Sequence, residues 1–351
     1  MDTGLGGAEF APQTTYLKTA ASGLLPARSA AVLRAAVDDA AAGRPTPATG
    51  FESVGAARES FARLVGVDVD RVAVAGSVSL HVGLIASALP TGGEILVADG
   101  DFSSLVNPFA VRRDLRLRTV PLPDLAAAVR PETTLVAVSA VQSADGRIAD
   151  LAAIGRAARA SGARTLVDCT QSAGWLPMCA ADFDYTVAGG YKWLLCPRGV
   201  SFLTVPERHE DLPPLYAGWT AGEEPWRSVY GPIAQLARSA RRFDQSPADL
   251  PYLAAQHSLA LVEELGPERI GAHNRALADR FRAGAADLGH QPVAAPGSAI
   301  VAVPGLDTAE EHLRRAGVEA TARAGNLRLA FHLYNTTADV DRVLDVLSDH
   351  R

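Results

Sequence analysis

Of the 33 basic side chains in this 351-residue chain, Lys18 and Lys192 are the only lysines, and the rest are arginine. Arginine stays protonated, whereas a desolvated lysine loses its proton and condenses with carbonyls. A coding bias toward Ala, Gly, Pro and Arg accounts for the skew and leaves two amines to place. Lys192 closes the apolar run Val187-Ala188-Gly189-Gly190-Tyr191-Lys192-Trp193, where a buried ammonium needs a partner or a use. Earlier in the chain, Asp168 ends Thr165-Leu166-Val167-Asp168, with Gln171 three residues on. Singly, each has an ordinary structural reading: a strand-end acid caps the next helix, and a buried lysine joins an ion pair. Together they are what a pyridoxal phosphate site requires, an amine for the Schiff base and an acid that charges the pyridine nitrogen so the ring accepts electrons. The phosphate would fall at Gly76-Ser77-Val78-Ser79, which follows one strand-like run and opens a helix whose leading N–H groups suit a dianion. Gly4-Leu5-Gly6-Gly7 has no strand before it and is a weak nucleotide signal.

These residues must be positioned by alternating elements. Amphipathic periodicity predicts helices at 29–42 and 52–64, each stopped by a glycine, and at 80–89, 104–113 and 151–160. Between and after them lie short apolar runs at 72–75, 95–98, 117–120, 135–139, 165–168, 185–188 and 200–205. Strands apolar on both faces and separated by helices imply a mostly parallel sheet, with ligands at the carboxyl ends of its strands. The last pair, joined without a helix, reads as an antiparallel addition. Residues 206–250 change to prolines interspersed with Trp219, Trp226 and Tyr230, an ordered connection. Helices at 252–264 and 267–288, a strand at 299–303, a helix at 308–316, strand material to Phe331 and a final helix capped by Thr336 or Thr337 form a smaller α/β unit. The expected division is an N-terminal arm (1–25), a large cofactor-binding domain (26–248) and a small C-terminal domain (249–351).

A net charge of −6 with 48% apolar residues excludes a disordered or polycationic chain. Without a Lys/Arg block, nucleic acid is not an expected partner. Met1–Thr14 has neither a basic nor an apolar signal region, and no uncharged run is long enough to span a membrane. Cys169, Cys179 and Cys196 lack metal or redox spacing, so no metal site is expected and a reducing cytoplasm is.

The combined motifs resemble the class V aminotransferase family of fold-type I pyridoxal phosphate enzymes, which includes cysteine desulfurases, kynureninase and isopenicillin N epimerase. The similarity runs from Tyr16-Leu17-Lys18-Thr19-Ala20-Ala21 through Val138–Ser143, Asp168-x-x-Gln171, Tyr191-Lys192-Trp193 and Pro197-Arg198-Gly199-Val200 to Arg328-x-x-x-His332-x-Tyr334-Asn335-Thr336. The resemblance implies that Lys192 carries pyridoxal 5'-phosphate, Asp168 holds its ring nitrogen and Gln171 its phenolic oxygen. Phe102 would cover the ring, and Ser77, Val78 and Ser79 would bind the phosphate. Ser246 would reach that phosphate from the neighbouring subunit of a homodimer, and Arg328 would receive the carboxylate of an amino-acid substrate. Lys18 is expected to be a surface charge, with a substrate contact as the alternative.

Two departures stand out. Gly189 and Tyr191 replace the serine and histidine of the common Ser-x-His-Lys pattern. No cysteine lies between Val318 and Arg328, which disfavours a persulfide-forming desulfurase. The expected chemistry is exchange of Lys192 for an amino acid, giving an external aldimine, then removal of the Cα proton. Transamination is placed first; a Cβ–S or Cβ–C lyase and an epimerase are the alternatives. A non-catalytic protein that keeps the fold as a binding partner is the reading of another class.

Overall fold

The computed structural model describes residues 4–44 and 51–349. The first three residues of the stretch read as lacking a signal lie outside the described residues. After the N-terminal arm and a two-residue strand β1 (Thr15–Tyr16), the helices α1 (Ala27–Ala41) and α2 (Phe51–Val65) lead into the main sheet. Its strands are β2 (Val72–Ala75), β3 (Glu94–Ala98), β4 (Arg116–Val120), β5 (Thr133–Ser139), β6 (Arg164–Asp168), β7 (Tyr185–Gly189) and β8 (Ser201–Thr204). They lie in the order β2-β8-β7-β6-β5-β3-β4. From β7 to β4 every pairing is parallel, and β8 runs antiparallel to both neighbours. The antiparallel addition expected after Lys192 is therefore an internal strand: it is inserted between β7 and β2, and β2 keeps the direction of the rest.

Alternate residues of each strand feed two apolar layers. Leu135 and Ala137 of β5 join the layer under α3 (Val78–Ser87) and α4 (Ser103–Ala110), while Val136 and Val138 face α5 (Leu151–Ser161). That double burial is why these strands read as continuous apolar runs. Next come α6 (Asp249–Leu265) and α7 (Pro267–Asp287). The smaller sheet follows, with β9 (Ile300–Pro304), α8 (Ala309–Arg315), β10 (Val318–Glu319), β11 (Thr321–Arg323), β12 (Asn326–Ala330) and α9 (Thr337–Ser348). Strands β11, β12 and β9 pair antiparallel in that order, and β10 pairs in parallel with β1. Thr336 caps α9 in a reciprocal box with Asp339. Leu277, Phe281, Val301, Leu329 and Val343 form this unit's own core. Helix α6, expected with the smaller unit, instead packs Tyr252, Ala255 and Leu259 against Phe61 and Phe202 beside the main sheet.

At the amino end of β3, far from the strand ends that carry Asp168, Glu94 is buried among Arg118, Arg130 and Thr133, each hydrogen-bonded to its carboxylate. Burial alone would raise its pKa, but these donors outweigh it and hold the group down at about 2. The stabilisation is present above the ordinary carboxylate value of 4.5 and is lost as pH falls toward about 2. Glu94→Gln is therefore expected to cost about 2 kcal/mol at neutral pH and to flatten the fall of Tm with acidification across that window. A Tm–pH series on both proteins tests this; an unchanged slope would refute it.

Candidate active site

The parallel strands, and β2 with them, end on one side of the sheet, and their carboxyl ends surround a cavity of about 250 Å³. Asp168 ends β6, Gly189 ends β7, and Gly76 follows β2. Lys192 lies in the turn after β7, is 4% exposed, and lines this cavity with Asp168, Gln171 and Phe102. Its Nζ lies 5.0 Å from the centroid of the Phe102 ring and 5.6 Å from that of Tyr191. Desolvation pulls its pKa down to about 8; Asp168 opposes the shift, and the positive charges of Arg328, Arg198 and Arg323 add to it. The amine is thus available as a nucleophile near neutral pH.

The lysine turn is built rigidly. Trp193 is fully buried and donates from Nε1 to Gln171 Oε1 at 2.7 Å. His332 bonds through Nε2 to the Trp193 carbonyl at 3.0 Å and through Nδ1 to Asn274 Nδ2 at 3.3 Å. Burial pushes the His332 pKa down to about 3, so its ring is neutral, with the proton on Nε2 where a carbonyl can accept it. Leu195 holds the left-handed conformation at φ +58°, a cost tolerated because the turn is fixed on all sides. Gly23 of the N-terminal arm donates to the Tyr191 carbonyl at 2.9 Å, and a Cβ there would stand 2.1 Å from the Lys192 carbonyl oxygen. No other residue fits that approach.

Asp168 is buried, and its Oδ1 accepts the Thr170 N–H at 2.8 Å. Desolvation raises its pKa, against the opposing effects of Thr170 and Lys192. Such a carboxyl group is suited to sharing a proton with a ring nitrogen. Gln171 lines the cavity, but both its amide hydrogens are engaged, by Ala20 O at 2.9 Å and Ser143 Oγ at 3.1 Å. Contact with a phenolic oxygen would use the hydrogen now given to Ser143. Ser77 and Val78 line the cavity at the start of α3. The Ser77 side chain does not cap its own helix, and its hydroxyl lies 3.2 Å from that of Ser79, which is exposed. A helix N-terminus without a side-chain cap beside two hydroxyls fits a phosphate. Arg328, on β12, is 3% exposed and donates to Ser143 through both its carbonyl and its hydroxyl. No carboxylate pairs with it among the described residues, and burial pulls its pKa down to about 10. A buried, unpaired guanidinium beside the cavity wall fits an incoming carboxylate.

Two residues considered from the sequence lie away from this cavity. Ser246 lines a second cavity with Phe51, Trp219 and Trp226 rather than the one holding Lys192. Lys18 pairs with Glu319 at 2.8 Å, so it takes the surface-charge role. Three neighbours were not singled out from sequence. Asp101 accepts from Ser139 N at 2.9 Å and Gln142 Nε2 at 3.1 Å, pinning the turn that carries Phe102. Ser143 links Gln171 to Arg328, and Arg198 lies over the Tyr191 ring. Asp101 precedes Phe102 directly, and Ser143 and Arg198 sit inside motifs already noted, so adjacency was the available signal.

The family model described as aminotransferase class-V matches residues 48–299. Isopenicillin N epimerase of Streptomyces clavuligerus is 35% identical over 332 residues, covering 83% of each chain. A Bacillus subtilis protein named uncharacterized aminotransferase YcbU is 30% identical, covering 83% of this chain and 82% of its own. Among solved structures, a C-DES variant with glycine covalently linked to its PLP cofactor superposes with a TM-score of 0.83 at 21% identity, covering 96% of this chain and 97% of that one.

Proposed function

The chain belongs to the class V aminotransferase family, and from that premise we propose that it transfers the amino group of an amino acid by way of Cα deprotonation. It is a pyridoxal phosphate-dependent enzyme of fold type I. When bound, pyridoxal phosphate supplies an electron sink conjugated to the substrate Cα. Lys192 Nζ would hold the cofactor, and as a neutral amine it would be the base that takes the substrate's Cα proton. Asp168 would hold a proton at the cofactor's ring nitrogen, the position from which a carboxylate favours the charged ring. Gln171 and Phe102 would hold the cofactor ring, and Ser77, Val78 and Ser79 would hold its phosphate. Arg328 fixes the substrate carboxylate and thereby the direction of the Cα–H bond. The observation that carries this reading is the desolvated Lys192 amine, with its pKa at about 8, sharing one cavity with Asp168.

Epimerisation is the second reading. It is favoured by the likeness to a protein named isopenicillin N epimerase and by the Tyr191 phenol, a second proton-bearing group in the same cavity. Incubation with single amino acids in heavy water separates the two. Transamination yields keto acid and the pyridoxamine form of the cofactor; epimerisation yields deuterated amino acid of inverted configuration and no keto acid. If no amino acid exchanges its Cα hydrogen, both fail.

Arg328→Leu is expected to raise KM and lower kcat/KM roughly ten- to a hundredfold, while cofactor absorbance is retained. An unchanged KM for every substrate tested would remove Arg328 from the carboxylate site.

A homodimer accords with the exposure of Trp226 at 73% and Tyr230 at 91%, apolar surface that a partner would cover. In that assembly Ser246 would serve the neighbouring subunit. Among the described residues no helix is long and apolar enough to cross a membrane. All three cysteines are free, in accord with a cytoplasmic location.

A further inference from the structure

Two residues depart together from the common pattern around the anchoring lysine, Gly189 and Tyr191, and the geometry links both to Arg198. The Tyr191 ring fills the space beside Gly189: a Cβ at position 189 would stand 3.3 Å from Tyr191 Cε1. A side chain there would press on the ring, which would have to give by a few tenths of an ångström, and with glycine the position offers no hydroxyl. Directly over that ring lies Arg198, its guanidinium carbon 4.2 Å from the centroid. Strand pairing sets Ala75 opposite Ser201, so the segment leading into β8 and the Gly76–Val78 turn emerge at the same end of the sheet. Arg198 accordingly lines the cavity with Gly76, Ser77 and Gly189, and no carboxylate pairs with it among the described residues.

We propose that Arg198 is the cation that holds the phosphate end of the cofactor in place of a hydroxyl at position 189, with the Tyr191 ring as the platform that orients it. This rests on the pyridoxal phosphate reading above. A planar guanidinium held over an aromatic face loses less freedom on binding and presents two N–H groups to a phosphate.

The test compares pyridoxal phosphate with pyridoxal, which lacks the phosphate, by titrating the apoprotein and following absorbance. Arg198→Ala is expected to weaken pyridoxal phosphate roughly ten- to a hundredfold and leave pyridoxal unchanged. Inorganic phosphate should compete with pyridoxal phosphate for the wild type and much less for the variant. Arg198→Lys should recover part of the loss, and Tyr191→Ala should reduce the preference for the phosphorylated form although Arg198 remains. Equal binding of pyridoxal phosphate by wild type and Arg198→Ala, an equal loss for both ligands, or an effect confined to the amino-acid KM would each overturn the assignment. If wild-type protein takes up neither ligand, the cofactor reading fails first, which this comparison distinguishes from failure at Arg198 alone.

Discussion

Replacing Lys192 with alanine is expected to abolish the covalent retention of pyridoxal phosphate and to lower turnover by at least about a thousandfold. The chain's other lysine is ion-paired with Glu319 and does not line this cavity, so no second lysine is placed to stand in. Denaturing mass spectrometry after borohydride reduction should find the cofactor on the peptide containing Lys192 in wild type and on none in the variant. A retained adduct would move the anchor elsewhere. The depressed pKa adds a pH signature. A neutral amine is the attacking form, so the rate of cofactor uptake should rise with pH through about 8 and then level, instead of rising toward the ordinary lysine value of 10.5. Arg328→Leu removes one of the positive charges that lower this pKa, so the midpoint should move up. A midpoint that stays near the ordinary value in wild type would mean that burial does not tune this amine.

Asp168→Asn is expected to retain the cofactor but lower turnover by on the order of a hundredfold or more. Asparagine keeps the size and the hydrogen bond from Thr170 yet carries no charge to balance a protonated ring nitrogen. Its removal also takes away the effect that raises the Lys192 pKa, so the midpoint of cofactor uptake should shift to lower pH. That opposes the direction predicted for Arg328→Leu, and the opposite signs test the electrostatic account independently of rate. Near-normal turnover with an unmoved midpoint would show that Asp168 has only a structural role.

The sheet was legible in the sequence because burial on both faces leaves apolar runs with sharp ends, and the ends of β6 and β7 are where Asp168 and Gly189 sit. The inserted position of β8 was not legible, since a strand's neighbours depend on the path of the chain between them. The place of α6 was missed for a similar reason: its apolar periodicity shows that it packs, not against which layer. Within the cavity, Lys192, Asp168 and Gln171 came from their spacing, and Arg328, beside its wall through Ser143, came from its motif. The bond that Gln171 donates to Ser143 and the placement of Arg198 over Tyr191 join segments distant in sequence or depend on a turn's geometry. No local pattern encodes either. Ser246 illustrates the converse, a motif match whose proposed role requires a second chain.

The insertion of β8 between β7 and β2 also bears on how the protein folds. Ser201 donates from Oγ to the Ala75 carbonyl across 126 residues of sequence, and this same strand pair brings the helix start at Ser77 to the lysine turn. Contacts of such separation form only after a large loop has closed, which slows them relative to the local βα units. The cofactor pocket is therefore incomplete until β2 has docked. A ligand that binds only the finished pocket draws the equilibrium toward the closed sheet, so cofactor capture during refolding would time the arrival of a strand made early in synthesis and positioned late.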